Sequence, residues 1–156
     1  MIKKSTNIGY QLPSEKHTVT IKSIQNGAIS SRDWAPLHSN QEWAINEGNL
    51  PNIIMNNYTL NGLIIKYITN HFGFSSRISK VKFKIIKPIC PNEIMIFNGK
   101  VVNKKSINKS NSLIEINVDI LVDGNSSATA SVKVVINETN EDKYSPWKIP
   151  SKDWQI

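Results

Sequence analysis

The sequence predicts an α+β fold in which one long, mostly apolar helix is wrapped by a curved antiparallel sheet of about five strands. Three observations lead there. Strict alternation of apolar and polar residues recurs through the second half of the chain, as in ISKVKFKII (residues 78–86). The turn Asp123-Gly124-Asn125 joins two further alternating runs. Before all of these lies one segment of helical period, NNYTLNGLIIKYITNHFG (residues 56–73).

Taken in chain order, a first strand is expected at HTVTIKSI, opening near residue 17. Next comes SRDWAPLHSNQEW (residues 31–43). Pro36 pushes Ala35 out of the α region and removes a backbone donor, so any helix carrying Asp33 should end near Trp34. Ser39, followed three residues later by Glu42, reads as a capping box for a new helix from Asn40 to about Glu47, with Gly48 as its stop. In the long helix Leu60, Leu63, Ile64, Tyr67, Ile68 and Phe72 share a stripe, Asn56 or Asn57 is the natural cap and Gly73 the end. The internal Gly62 costs about 1 kcal/mol against alanine, which suggests a close approach by another backbone.

The strands follow. Val81, Phe83 and Ile85 alternate with Lys80, Lys82 and Lys84, giving a core face and a wet face. EIMIFNGKVV (93–102) is next, and in LIEINVDILV (113–122) the residues Ile114, Ile116, Val118, Ile120 and Val122 share one face. In SATASVKVVI (127–136) Ala128, Ala130, Val132, Val134 and Ile136 share another, completing an antiparallel series.

A chain of 156 residues fits a single domain with a real core, spanning 1–156 with its centre at about 9–150. The lone Cys90 excludes an internal disulfide framework and suggests a reducing compartment. Lys3 and Lys4 have no apolar run behind them, and no stretch is long and apolar enough to span a bilayer, so a soluble, cytoplasmic protein without membrane partners is expected. The net charge of +7 is spread along the chain rather than interleaved with aromatics. Compositional bias is its first explanation and attraction of a phosphate-bearing ligand its second; nucleic acid is not an expected partner. His17 and His71 lack a partner pattern for a metal, and no cofactor is expected.

Asp33 and His38 stand five residues apart, which on one helix leaves their side chains about 140° apart. The break at Pro36 lets the chain fold back, and His38 then sits just before a helix N-terminus, where the dipole favours neutral imidazole. By itself the segment reads most plainly as a turn with a solvated Asp and His.

Three blocks change that balance. SRDWAPLHSNQEWA (31–44), PNIIMNNYTLNGLIIKYITNHFG (51–73) and VKFKIIKPICPNEIMIFNGKVV (81–102) resemble, in this order, the Asp-x4-His motif, the central helix and the first sheet hairpin of the MaoC-like acyl dehydratases, the family of (R)-specific enoyl-CoA hydratases. The resemblance runs from about Gly9 to Pro150 and implies the hot-dog fold. It also implies an acyl-thioester hydratase or dehydratase acting across the 2,3 bond of a 2-enoyl-CoA, or the same acyl group on acyl carrier protein. Asp33 would be the principal base, and His38 would orient the water and relay a proton to C2.

Backbone N–H groups around Asn56 and Asn57 would hold the thioester oxygen. Two departures stand out: many relatives have glycine near Asn56, and a serine near Asn61, where an amide could orient the carboxylate instead. Tyr58 and Met55 are expected to pack. A hot-dog thioesterase and a non-catalytic partner subunit of a hetero-oligomeric hydratase are the alternatives. A homodimer or higher hot-dog oligomer is expected, with sheets joined edge to edge. Lys82, Lys84 and Lys87 are expected near the tunnel mouth, attracting the coenzyme A phosphates.

Overall fold

The computed structural model describes residues 6–139 and 141–154. Five strands, β1 (Glu15–Thr18), β2 (Arg77–Ile85), β3 (Ile94–Ser106), β4 (Asn111–Val122) and β5 (Asn125–Asn137), form one antiparallel sheet in the order β1-β3-β4-β5-β2. Three helices precede its main body: α1 (Ile21–Ser31), α2 (Gln41–Asn46) and α3 (Asn57–Phe72). The long strands behave as their alternation predicts. Ile114, Ile116 and Ile120 of β4 and Val132 and Val134 of β5 are fully buried, and they pack in one cluster with Leu60, Ile64, Tyr67 and Ile68 of α3. The apolar face of the sheet thus closes on the apolar stripe of the helix.

Strand β2 does not form a hairpin with β3. It crosses to the far edge and pairs with β5, from Arg77 opposite Val135 to Ile85 opposite Ala128, while β3 lies between β1 and β4. Alternation fixes which face of a strand is apolar and leaves its neighbour unspecified, so the expected first hairpin was a matter of pairing that this signal does not carry. Val81 and Phe83 pack against the core, whereas Lys80, Lys82 and Lys84 are exposed on the opposite face.

The run HTVTIKSI is a strand only as far as Thr18; from Ile21 it is helix. Thr20 Oγ1 accepts from the Ser23 N–H at 3.0 Å and Ser23 Oγ accepts from the Thr20 N–H at 2.9 Å, a reciprocal cap that turns the alternating sequence into α1. Ile24 and Ala28, four apart, are its buried face. Helix α1 stops at Ser31, short of Trp34, because Arg32 adopts the left-handed conformation at φ 55°. The N–H of Asp33 then donates to the Ala28 carbonyl at 2.9 Å, so the chain reverses before Pro36 is reached.

Helix α2 is capped by Asn40, whose side chain accepts from the Trp43 N–H at 3.0 Å, and not by Ser39. It ends at Asn46, one residue before the expected Glu47, and the Gly48 N–H caps it through the Trp43 carbonyl at 2.9 Å. Helix α3 begins and ends where its sequence says, with Asn56 as cap and Gly73 at φ 86° closing it. Gly62 marks no close approach: a Cβ there would meet nothing within 4 Å. The close crossing is at Gly27 of α1, where a Cβ would come within 1.9 Å of Thr59 Oγ1 on α3. No helix among the described residues is long and apolar enough to cross a membrane.

Candidate active site

The reversal after α1 and the single 3₁₀ turn Pro36–His38 bring Asp33 and His38 together, with His38 Nε2 3.2 Å from Asp33 Oδ2. His38 is only 6% exposed, and Nδ1 lies 2.7 Å from the carbonyl oxygen of Ile54. A carbonyl can only accept, so Nδ1 carries a hydrogen, and one shared proton makes the Nε2 to Oδ2 contact attractive. The Ile54 N–H in turn donates to the Leu37 carbonyl at 3.0 Å, and the Met55 N–H to the Ile89 carbonyl at 2.8 Å. The imidazole is therefore anchored to the extended segment that leads directly into α3.

Asp33 is the more open member of the pair, with 22% of its side chain exposed. Its second neighbour is Asn56, which lies 1% exposed at the N-cap of α3. Asn56 Nδ2 donates to Asp33 Oδ2 at 3.1 Å and to Ser31 Oγ at 2.8 Å; Asn56 Oδ1 accepts from the N–H and hydroxyl of Thr59 at 3.0 and 2.6 Å. Ser31 Oγ passes its own hydrogen to the Gly27 carbonyl at 2.8 Å. The two neighbours of the carboxylate thus come from two later segments, His38 from the 3₁₀ turn and Asn56 from the cap of α3.

Of the other residues singled out in the sequence, Asn57 is the exposed first residue of α3. Its N–H belongs to the turn that finds no carbonyl within the helix. Asn61 lies one turn further on, half-buried, and its Oδ1 is buried without a hydrogen-bond partner among the described residues. The amide that reaches Asp33 is that of Asn56, not Asn61. Met55 is buried, whereas Tyr58 is 63% exposed and does not pack into the core. Ser31, Thr59 and the Ile54 carbonyl were not singled out. Thr59, three residues after the cap, carries the capping spacing that would have found it.

His17 and His71 lie away from this pair, on β1 and in the last turn of α3. Burial, and then the neighbouring charge of Lys66, push the His17 imidazole below its ordinary range. Among the described residues no three His, Cys, Asp or Glu side chains are grouped as a metal site. Burial pushes the Cys90 thiol up to about 11, with Glu93 adding to the effect, so it is held as the unreactive thiol.

No protein-family model and no curated protein matches the sequence. Solved structures do match the fold. The crystal structure of the ChsH1-ChsH2 complex from Mycobacterium tuberculosis is similar at TM-score 0.77 and 24% identity, over 85% of this chain and 99% of that one. The (R)-hydratase PhaJ1 from Pseudomonas aeruginosa is similar at TM-score 0.72 and 14% identity, over 82% and 80% of the two chains. A MaoC-like dehydratase from Rhodospirillum rubrum gives TM-score 0.72 and 15% identity over 84% and 92%. The fold is the hot-dog fold of the MaoC-like dehydratases and (R)-hydratases.

Proposed function

We propose that the chain is a hydratase or dehydratase of the MaoC-like kind, adding or removing water across the 2,3 bond of a 2-enoyl thioester carried by coenzyme A or acyl carrier protein. One observation carries the reading: a carboxylate and a buried, tautomer-fixed imidazole meet at 3.2 Å beside the cap of α3. Hydration needs a base for water, an acid for C2 and donors for the thioester oxygen. Asp33 takes a proton from water as the water oxygen bonds to C3. The C2–C3 π pair moves towards the thioester, whose oxygen is held by N–H groups in the first turn of α3. His38 delivers the shared proton from Nε2 to C2. The pair starts and finishes with one proton between its members, so the step balances without an outside acid.

The test follows a short and a long trans-2-enoyl-CoA through loss of the conjugated thioester absorbance, with free thiol measured alongside. Loss of absorbance without thiol is the expected result. Thiol release would replace this reading with thioester cleavage, and the absence of both would fit a non-catalytic subunit, as in a two-component assembly. Light scattering of the same sample tests the proposed homodimer, for which β1 and β2 are the two sheet edges.

A further inference from the structure

Every hydrogen-bonding position of the Asn56 amide is filled. Nδ2 has two hydrogens and two acceptors, Ser31 Oγ and Asp33 Oδ2; Oδ1 has two lone pairs and two donors, both on Thr59. Turning the amide over would set its oxygen against the Asp33 carboxylate and its NH₂ against the Thr59 N–H, so the surrounding network fixes its orientation. Capping α3 uses only Oδ1. Asp, Ser or Thr would cap the helix comparably, but of the favoured caps only asparagine also offers two N–H donors in a fixed plane. The donor half is surplus to the helix and is spent on Ser31 and Asp33.

The crossing of α1 and α3 supports that half from behind. Without a Cβ, Gly27 lets the Thr59 hydroxyl lie against α1 and still reach Asn56 Oδ1, while the Gly27 carbonyl receives the Ser31 hydroxyl and so turns the lone pairs of Ser31 towards Asn56. The end of α1 and the start of α3 become one hydrogen-bonded unit, and Asp33 is attached to it. Both of its neighbours, Asn56 Nδ2 and His38 Nε2, meet the same oxygen, Oδ2; Oδ1 has no hydrogen-bond partner among the described residues.

We infer that Asn56 is a positioning residue for the hydration chemistry proposed above, on which this inference rests: it holds Asp33 by Oδ2, so that Oδ1 is the oxygen presented to the water. The helix cap and the catalytic base are then set by one side chain, which fixes the base relative to the N–H groups that receive the thioester oxygen. An error of about 1 Å in that relation costs on the order of 100-fold in rate.

The experiment uses the intact chain and two variants that keep a good helix cap. Asn56→Ser retains the cap acceptor and loses the amide donors; Asn56→Asp retains cap and shape but sets a second carboxylate against Asp33. With 2-enoyl-CoA as substrate, Asn56→Ser is expected to lose about 100-fold in kcat with KM within about twofold. In Asn56→Asp, repulsion between the two carboxylates should move the acid limb of the kcat profile to higher pH. A purely structural cap would change neither. A kcat for Asn56→Ser within about threefold of the parent, or a loss confined to KM, overturns the positioning role and leaves the proposed reaction standing. A parent chain that hydrates no enoyl thioester overturns the reaction itself and this role with it.

Discussion

At its N-terminal end α3 is held by hydrogen bonds: Asn56, Thr59, Ser31, Asp33 and His38 are tied to one another and to the backbone of α1 and of residue 54. At its C-terminal end the same helix is held by rings. Tyr67 lies 5.7 Å from Phe97, and His71 stacks 5.7 Å from Tyr10 and edge-on to Phe72 at 4.7 Å. Hydrogen bonds also reach the sheet there: the Gly99 N–H donates to the Tyr67 hydroxyl at 2.8 Å, and at the exposed rim the Asn70 amide donates to the Glu15 carboxylate at 3.2 Å. A helix start presents unpaired donors and positive potential to whatever lies beyond it, while the stripe further along has only area to bury. The proposed proton chemistry falls at the first end and the apolar packing at the second, so substitutions at each should separate turnover from stability.

The largest expected effect is on turnover at the polar end. Asp33→Asn keeps the shape and the N–H bond to Ala28 but removes the proton acceptor, and kcat should fall about 10³-fold. His38→Ala should fall by a similar factor. It also leaves the Ile54 carbonyl without its ring donor, costing about 1–3 kcal/mol of stability, so its thermal midpoint should drop while that of Asp33→Asn holds. Near-parental turnover in either variant would remove the site from this end of the helix.

At the aromatic end the effect should be on stability alone. Tyr67→Phe strands the buried Gly99 N–H, at about 1–3 kcal/mol, and should leave kcat near parental. The pH dependence sharpens the contrast. Burial raises the Tyr67 phenol from 10.0 to about 12, so the folded chain holds the proton more tightly than the unfolded one. That contribution is complete below pH 10 and is lost as pH rises through 12. Denaturant melts should therefore show the gap between parent and Tyr67→Phe narrowing above pH 10, with Cys90, raised from 9.0 to about 11, weakening both proteins alike from pH 9 upward. A gap that stays constant would mean the phenol is not desolvated as its burial implies.

The two ends were not equally legible in the sequence. The stripe Leu60, Ile64, Tyr67, Ile68 announces itself by period, and the β4 and β5 faces by alternation, because burial imposes those repeats over many residues. The polar end depends on contacts between segments that no period records: Asn56 meets Asp33 across 23 positions, and His38 meets Ile54 across 16. Only the resemblance pointed to Asp33 and His38 as a pair, and it gave no reason to connect Asn56 to the carboxylate. Helix α1 was lost for the opposite reason. TVTIKSI alternates well enough to pass for a strand, and four residues of capping, Thr20 to Ser23, decide the matter. The pairing of β2 with β5 rather than β3 was likewise invisible, since both partners offer the same alternating edge.

The smallest expected effect concerns the lysines, for which the sequence suggested a place beside the substrate. Lys82 and Lys84, with Phe83 between them and with Lys100 and Asp119, line a groove of about 610 Å³ against the sheet, while Val81 and Phe83 also pack against the core cluster. In the proposed reaction the thioester would sit at the N-terminal end of α3, on the helix-covered side of the sheet. For solvent-exposed lysines, a path around the sheet edge exceeds the Debye length of about 8 Å at physiological salt, so their attraction for a ligand on the other face is weakened. Replacing Lys82 and Lys84 by glutamine should change KM for an enoyl-CoA by less than about twofold, with the salt dependence of KM unaltered relative to a truncated pantetheine thioester. Suppose instead that KM for the full coenzyme A ester climbs steeply with salt in the parent, and that the double variant abolishes the difference from the truncated ester. The phosphates would then reach around the β2 edge to the outer face, and the substrate would no longer belong to the polar end of α3 alone.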